Sequence, residues 1–225
     1  MSNNVDEHRN EPRKDFANSY GMLMDCSEAT YGQFLDHFQD LELVRALLTN
    51  LKVIFITHMH GDHQIGLSKV LLERDLAIQN AFNAEFVSEN KEHFEIFVVI
   101  PYFMQEFLNL MTQSFEYPEL VVLIPSDLLN PEPEKHYIVQ DPVKFCTPRE
   151  KVDCVEMTKE ECQKRVEKME SEYGELAQRF QKVVQEKLGL IRVHAVEAFH
   201  CYEAYGCMVE APNWKVSSIH NIYLL

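Results

Sequence analysis

An α/β architecture is predicted by three features of this chain. Short apolar, β-branched runs recur as strands, and amphipathic stretches of helical spacing fall between them. A cluster of metal-ligating side chains, Thr57-His58-Met59-His60-Gly61-Asp62-His63, follows one of those runs, Val53-Ile54-Phe55-Ile56, without a gap.

Residues 1–17 are polar and mixed in charge and read as a disordered tail, leaving 18–225 as one domain. Gly21 to Asp25 reads as a short strand ending in an acid. From Thr30 to Leu48, the apolar positions Phe34, Leu35, Phe38, Leu41, Val44, Leu47 and Leu48 suit an amphipathic helix with a break near Asp40. Leu51 to Ile56 is a buried strand by its β-branched content, and Gly66 to Asp75 a helix. Phe94 to Ile100 is a second buried strand; Pro101 ends it and opens a helix over Tyr102 to Ser114. Leu120 to Ile124 fits a strand or a short helix, and residues 125–153, with prolines at 125, 131, 133, 142 and 148, read mostly as loop.

From about Thr158 to Leu188 the pattern is one long helix. Cys162, Val166, Met169, Tyr173, Leu176, Phe180 and Val183 alternate spacings of four and three. Such a stripe packs on a sheet, or serves as a coiled-coil or partner-binding arm through 158–188. Ile191 to Phe199 and Cys207 to Glu210 return to strand.

At 225 residues, 46% hydrophobic and 25% charged, the composition is that of a soluble globular protein with one good core. No apolar run has the length of a membrane span, and the amino terminus has neither a signal-type apolar stretch nor the acid-poor composition of a mitochondrial presequence. The formal net charge of −15 repels nucleic acid on average. Binding RNA therefore requires a local basic patch, a metal facing the phosphate, or residues outside this chain. The six cysteines (Cys26, Cys146, Cys154, Cys162, Cys201, Cys207) form no C-x-x-C pair and read as reduced thiols of an intracellular protein.

A lone histidine beside an apolar strand is ordinarily just hydrogen-bonded. Four ligand types in H-x-H-x-D-H order between a strand and a helix point to metal. His58 and His60, two apart, must lie on an extended loop to converge on one ion, and imidazole nitrogens suit zinc. Asp62 and His63 are adjacent, so their side chains are expected to diverge toward a second ion. Gly61 gives the loop backbone freedom. Two neighbouring ions activate water and clamp a scissile phosphate. A further ligand must come from far along the chain. His200, after a strand, is the candidate, whereas His194 lies inside that strand and is structural. Cys201 reads as a small buried thiol.

These residues resemble the metallo-β-lactamase superfamily, and their surroundings narrow the resemblance to ribonuclease Z, the endonuclease that removes the 3′ trailer of precursor tRNA. Similarity is greatest to the carboxy-terminal half of the eukaryotic long form. Asp25-Cys26-Ser27-Glu28-Ala29-Thr30-Tyr31-Gly32-Gln33 resembles the family's D-C-G-E-G-T-Y-G-Q, with Ser27 and Ala29 replacing two glycines. Leu51 to Leu67 resembles L-K-x-I-F-I-S-H-x-H-x-D-H-x-x-G-L, and Val98 to Pro101 resembles V-I-A-P. His200-Cys201-x-x-Ala204-Tyr205-Gly206 resembles H-C-x-x-A-[FY]-G, and Trp214-Lys215-Val216 the start of W-K-V-V-x-S-G-D-T. The resemblance covers about residues 16–216.

It implies the superfamily's αβ/βα sandwich and Zn2+ as cofactor, two ions in the family. His58, His60 and His200 would hold one ion, and Asp62 and His63 the second. Asp62 would also orient or deprotonate the attacking water. The family's bridging aspartate falls on Asn221, a neutral amide that weakens the second site, so one ion or none is also compatible with this chain; His220 is a poor stand-in. The family's first strands and its later histidine and His/Glu motifs have no counterpart, so a copy incomplete at both ends is expected. The implied function is a zinc-dependent tRNA 3′-processing endoribonuclease acting on precursor tRNA, in the nucleus or mitochondrion. The alternative is a catalytically inactive remnant of that fold acting as a binding or inert protein. A different hydrolase of the superfamily, a thioesterase or glyoxalase type, is disfavoured by the segments at 25–33 and 200–206.

Overall fold

The computed structural model describes residues 19–130, 137–139, 154–156, 159–198 and 204–218. The expected tail at 1–17, and His200, Cys201, His220 and Asn221, lie outside the described residues.

Four parallel strands in sequential order form the first sheet: β1 (Gly21–Met24), β2 (Leu51–Phe55), β3 (Ile96–Ile100) and β4 (Val121–Pro125). The two central strands, LKVIF and IFVVI, are buried at every position, as a parallel sheet covered on both faces requires. Their side chains alternate between two cores. Ile54, Ile56, Ile96, Val98 and Ile100 face a helical layer built from α1 (Thr30–Phe38), α2 (Leu41–Thr49), α4 (Leu67–Ala81) and α7 (Gln105–Thr112). Val53, Phe55, Phe97 and Val99 face the opposite way, toward α8 (Lys159–Glu186) and a second sheet. That sheet is antiparallel, in the order β7 (Arg192–Glu197), β8 (Tyr205–Ala211), β9 (Trp214–Ser218). A helical layer, a sheet, and a second sheet on the first one's other face are three of the four layers of the predicted αβ/βα sandwich.

The expected break near Asp40 divides 30–48 into two helices, while several other boundaries differ from the sequence reading. Gln39 takes a left-handed conformation (φ 50°) that stops α1, and the Asp40 carboxylate caps α2 by accepting from the Leu43 amide at 3.1 Å. The helix expected to end at Asp75 runs to Ala81, because Ala77 and Ile78 continue its buried face. Two short helices, α5 (Ala84–Glu89) and α6 (Lys91–Phe94), take up the next segment, so β3 begins at Ile96 and not at Phe94. Pro101 opens a 3-10 turn, Tyr102–Met104, before α7. Of the run Leu120 to Ile124, Leu120 closes a 3-10 turn and the rest is strand β4, on the sheet's edge, where Pro125 is tolerated. The loop expected over 125–153 contains a 3-10 turn, Ser126–Leu129, and β5 (Tyr137–Val139), which pairs with β6 (Cys154–Glu156).

The long helix stands nearly as predicted. Leu176, Phe180, Val183 and Val184 of α8 pack into the second core, with the Phe180 ring edge-on to Phe97 at 5.8 Å. Arg179 on the same helix pairs with Glu95 at 2.6 Å. Over this half the stripe packs on the sheet and is not a free arm. Among the described residues, no helix is long and apolar enough to cross a membrane.

Candidate metal centre

The carboxyl ends of β1, β2 and β4 open at one edge of the parallel sheet, the usual place for a site in such folds. β2 runs out at Phe55 and its chain continues extended through Ile56, Thr57 and His58. His60 then precedes α3 (Gly61–Gln64), on whose first turn Asp62 and His63 lie. A bend at Met59 lies between His58 and His60, and the two rings converge across it. His58 Nε2 and His60 Nδ1 are 3.1 Å apart. His58 is buried and His60 exposed, so the pair bridges interior and solvent.

Asp25 organises this loop. It follows β1 in a left-handed conformation (φ 56°), which aspartate tolerates better than most side chains. Its Oδ1 accepts the Thr57 backbone N–H at 2.7 Å, and the Thr57 hydroxyl lies 2.9 Å from both carboxylate oxygens. Asp25 Oδ2 is also 2.7 Å from His63 Nδ1. An ionised carboxylate only accepts, so His63 donates from Nδ1, and in the neutral ring Nε2 is then the nitrogen that carries the lone pair. The Thr57 hydroxyl spends its one proton on Asp25. Its oxygen, 2.9 Å from His58 Nδ1, therefore accepts the N–H of that ring and leaves His58 Nε2 bare as well. Carboxylate and hydroxyl together fix both tautomers in the form a metal needs.

Asp62 is open to solvent, its side chain 79% exposed, and its Oδ2 is 3.5 Å from His63 Nε2. The divergence expected for these neighbours is thus corrected. The first turn of α3 swings the two groups toward one another. The rings of His58 and His63 also lie close, 4.0 Å between centroids. The loop therefore sets His58 beside His60 and His63, and Asp62 beside His63.

Nitrogens each about 2.0–2.1 Å from a tetrahedral zinc sit about 3.4 Å from one another, so the 3.1 Å pair of His58 and His60 has nearly the spacing of two ligands of one ion. The donor set, imidazoles with a carboxylate behind them, also suits zinc. The fit is to two donors. Among the described residues, no three His, Cys, Asp or Glu side chains form a group able to hold a metal ion. The predicted third donor, His200, lies outside the described residues, but the residues flanking it do not. The Ala198 N–H donates to Ala204 O at 2.8 Å, and the Tyr205 N–H donates to Thr57 O at 2.8 Å.

His194 sits buried within β7, its Nε2 3.4 Å from the Arg192 guanidinium, in keeping with a structural role. Cys26 and Cys207 are buried and free; desolvation above all pushes their thiols up to about 11 and about 12, and nearby Asp25 adds to both shifts. They stay protonated and behave as small apolar groups. An open cleft of 520 Å³, lined among others by Tyr20, Arg45, Asn50 and His93, lies at the amino ends of the strands, away from this loop.

Asp25 is the residue whose role the sequence reading missed. Its signal was present, an acid ending a strand within a segment that resembled the family, but acceptance from two residues 32 and 38 positions away is a tertiary fact.

The parallel sheet with a helical layer, backed by a second sheet and carrying a histidine-rich loop at its carboxyl edge, is the metallo-β-lactamase scaffold. Comparison with known proteins agrees. The chain resembles the crystal structure of a long form RNase Z from yeast with a TM-score of 0.54 and 19% identity, over 87% of this chain and 23% of that one. In sequence, 57 residues are 40% identical to zinc phosphodiesterase ELAC protein 2 of Homo sapiens, and 53 residues are 42% identical to the mitochondrial ribonuclease Z of Drosophila melanogaster. These segments are 25% and 24% of this chain and 7% of either relative, so the matched part spans a small share of the relatives' length. No family model matches. The chain is thus similar to ribonuclease Z proteins, in sequence over about a quarter of its length and in fold over most of it.

Proposed function

We propose that this chain is a zinc-dependent endoribonuclease of the ribonuclease Z kind, cutting the 3′ trailer from precursor tRNA by phosphodiester hydrolysis. The observation that carries the reading is the pair of imidazole nitrogens, His58 Nε2 and His60 Nδ1, 3.1 Å apart on a loop whose tautomers Asp25 and Thr57 fix. The names of the relatives support the substrate class.

His58 and His60 would hold a zinc ion, with His200 as the third ligand; Asp62 and His63 would take a second ion. Zinc so held supplies activation of water and charge compensation on the phosphate. Asp62, exposed and beside His63 Nε2, would orient that water and accept its proton. Asp25, 2.7 Å from His63 Nδ1, would hold the proton there and leave Nε2 to face an ion. Of the two compartments implied by the resemblance, mitochondrion has support, since relatives from Drosophila melanogaster and Arabidopsis thaliana are named as mitochondrial. Nothing comparable supports the nucleus.

The test is incubation of the zinc-loaded chain with precursor tRNA bearing a 3′ trailer, beside a His60→Ala variant. Cleavage after the discriminator nucleotide, lost in the variant, is expected. A chain that takes up zinc yet leaves the RNA intact would overturn the nuclease and favour a non-catalytic binding protein.

A further inference from the structure

The metal loop is braced by two residues that the chemistry above does not use. Tyr205 begins β8 and Asp127 lies in the 3-10 turn after β4; both are buried. The Tyr205 hydroxyl donates to Asp127 Oδ1. Through its backbone N–H the same tyrosine donates to Thr57 O at 2.8 Å. Thr57 in turn donates to Asp25 and accepts from His58. A continuous hydrogen-bonded chain therefore runs Asp127–Tyr205–Thr57–His58 and joins the ends of β4, β8 and β2. Its Tyr205 segment lies in the apolar core with Phe55, Ile124 and Leu129. A hydroxyl-to-carboxylate bond in such surroundings is strong and directional.

We propose that Asp127 and Tyr205 are positioning residues for the metal loop. Their bond fixes the backbone of Tyr205, which fixes the Thr57 carbonyl and so the plane from which the His58 imidazole presents Nε2. The inference rests on the metal reading of the loop but not on RNA cleavage. A purely architectural bond between the two sheets would stabilise the fold without touching the geometry of a bound ion, and that difference is measurable.

Tyr205→Phe removes one oxygen and keeps the ring in its apolar site. Asp127→Leu removes the acceptor, and Asp127→Asn restores one. The full chain is titrated with Zn2+ against a chelator and loaded with Co2+, whose visible absorption reports ligand geometry. Tyr205→Phe and Asp127→Leu are expected to weaken zinc by up to about 10-fold, less than the about 10- to 100-fold usual for losing a direct outer partner of a metal ligand such as Thr57, and to alter the cobalt spectrum. Asp127→Asn is expected to recover both. If Asp127→Leu fails to fold, the single-oxygen change at Tyr205 carries the test. Zinc affinity and a cobalt spectrum unchanged in Tyr205→Phe, whatever its thermal midpoint, overturn the proposal. A wild-type chain that takes up no metal overturns this and the proposed function together. One that binds zinc without cutting RNA sinks only the latter.

Discussion

Asp25 Oδ2 stands 2.7 Å from His63 Nδ1, joining the end of β1 to the first turn of α3 across 38 residues. The same carboxylate takes the backbone N–H and hydroxyl of Thr57, so one acid determines how two imidazoles present their Nε2 atoms.

Replacing that acid is therefore expected to damage metal binding more than folding. Asp25→Asn keeps a residue that tolerates φ 56° and an oxygen for the Thr57 amide, but sets an amide group with no charge against the His63 ring. Zinc affinity should fall about 10- to 100-fold, measured by chelator competition. Asp25→Ala adds backbone strain of about 1–2 kcal/mol and should also lower the denaturation midpoint. An Asn variant with wild-type zinc affinity contradicts the role assigned to Asp25.

The two histidines of the close pair should separate cleanly by mutation. His60 is exposed, so His60→Ala should change stability by no more than about 0.5 kcal/mol while reducing the zinc retained per chain. His58 is buried beneath it and bonded to Thr57, so His58→Ala should lose metal and about 1–3 kcal/mol of stability. Elemental analysis and urea denaturation of the two variants check both halves. Equal destabilisation by the two changes would contradict the burial difference.

How far these features were legible in the sequence depends on whether their cause is local. β2 and β3 were readable because an apolar run of β-branched residues has no alternative that buries it, and α8 because its stripe repeats for six turns or more. The spacing of His58 and His60 implied their convergence on an extended loop, and the rings meet across a bend at Met59. The approach of Asp62 to His63 was misread because adjacency suggests divergence only while α3 is unknown. Asp25, Asp127 and Tyr205 were not legible as site residues. Each acts across tens of positions, and no periodicity marks a hydrogen bond that joins separate elements.

Gly66 has a similar long-range cause. A Cβ built there would stand 1.8 Å from the Ser27 carbonyl oxygen, and the Gly66 N–H donates to Cys26 O at 2.9 Å. The obstacle is backbone, so it cannot rotate away. Gly66→Ala is expected to push the 25–29 segment off the start of α4, at a cost at or above the 1–3 kcal/mol typical of overpacking, roughly. Asp25 would move with it, so zinc affinity should drop in the same variant. Thermal denaturation and zinc titration check this. A neutral Gly66→Ala would mean the two segments separate without penalty.

Stability should also depend on pH through buried groups other than the proposed ligands. Lys52 is 1% exposed at the amino end of β2, and its amine donates to the His93 carbonyl. Desolvation, aided by Arg74 and Lys187, pulls it down to about 7. An unfolded lysine titrates near 10.4, so between about 7 and 10.4 the unfolded chain binds a proton that the native chain does not, and stability rises with pH there. Cys26 and Cys207 act in the opposite sense. Pushed up to about 11 and about 12, they keep protons that unfolded thiols lose above about 8.5, so their contribution is full below that pH and falls as pH rises beyond it. Arg74 keeps its charge throughout, as guanidinium groups do. The sum is a rise from about pH 7 to a maximum near pH 8.5, then a decline, because two thiols outweigh one amine. Urea denaturation at intervals from pH 6.5 to 10 should trace that dome. Lys52→Met should flatten its rising limb and Cys207→Ala should soften its falling limb. A rising limb that survives Lys52→Met would show that the buried amine is not its source.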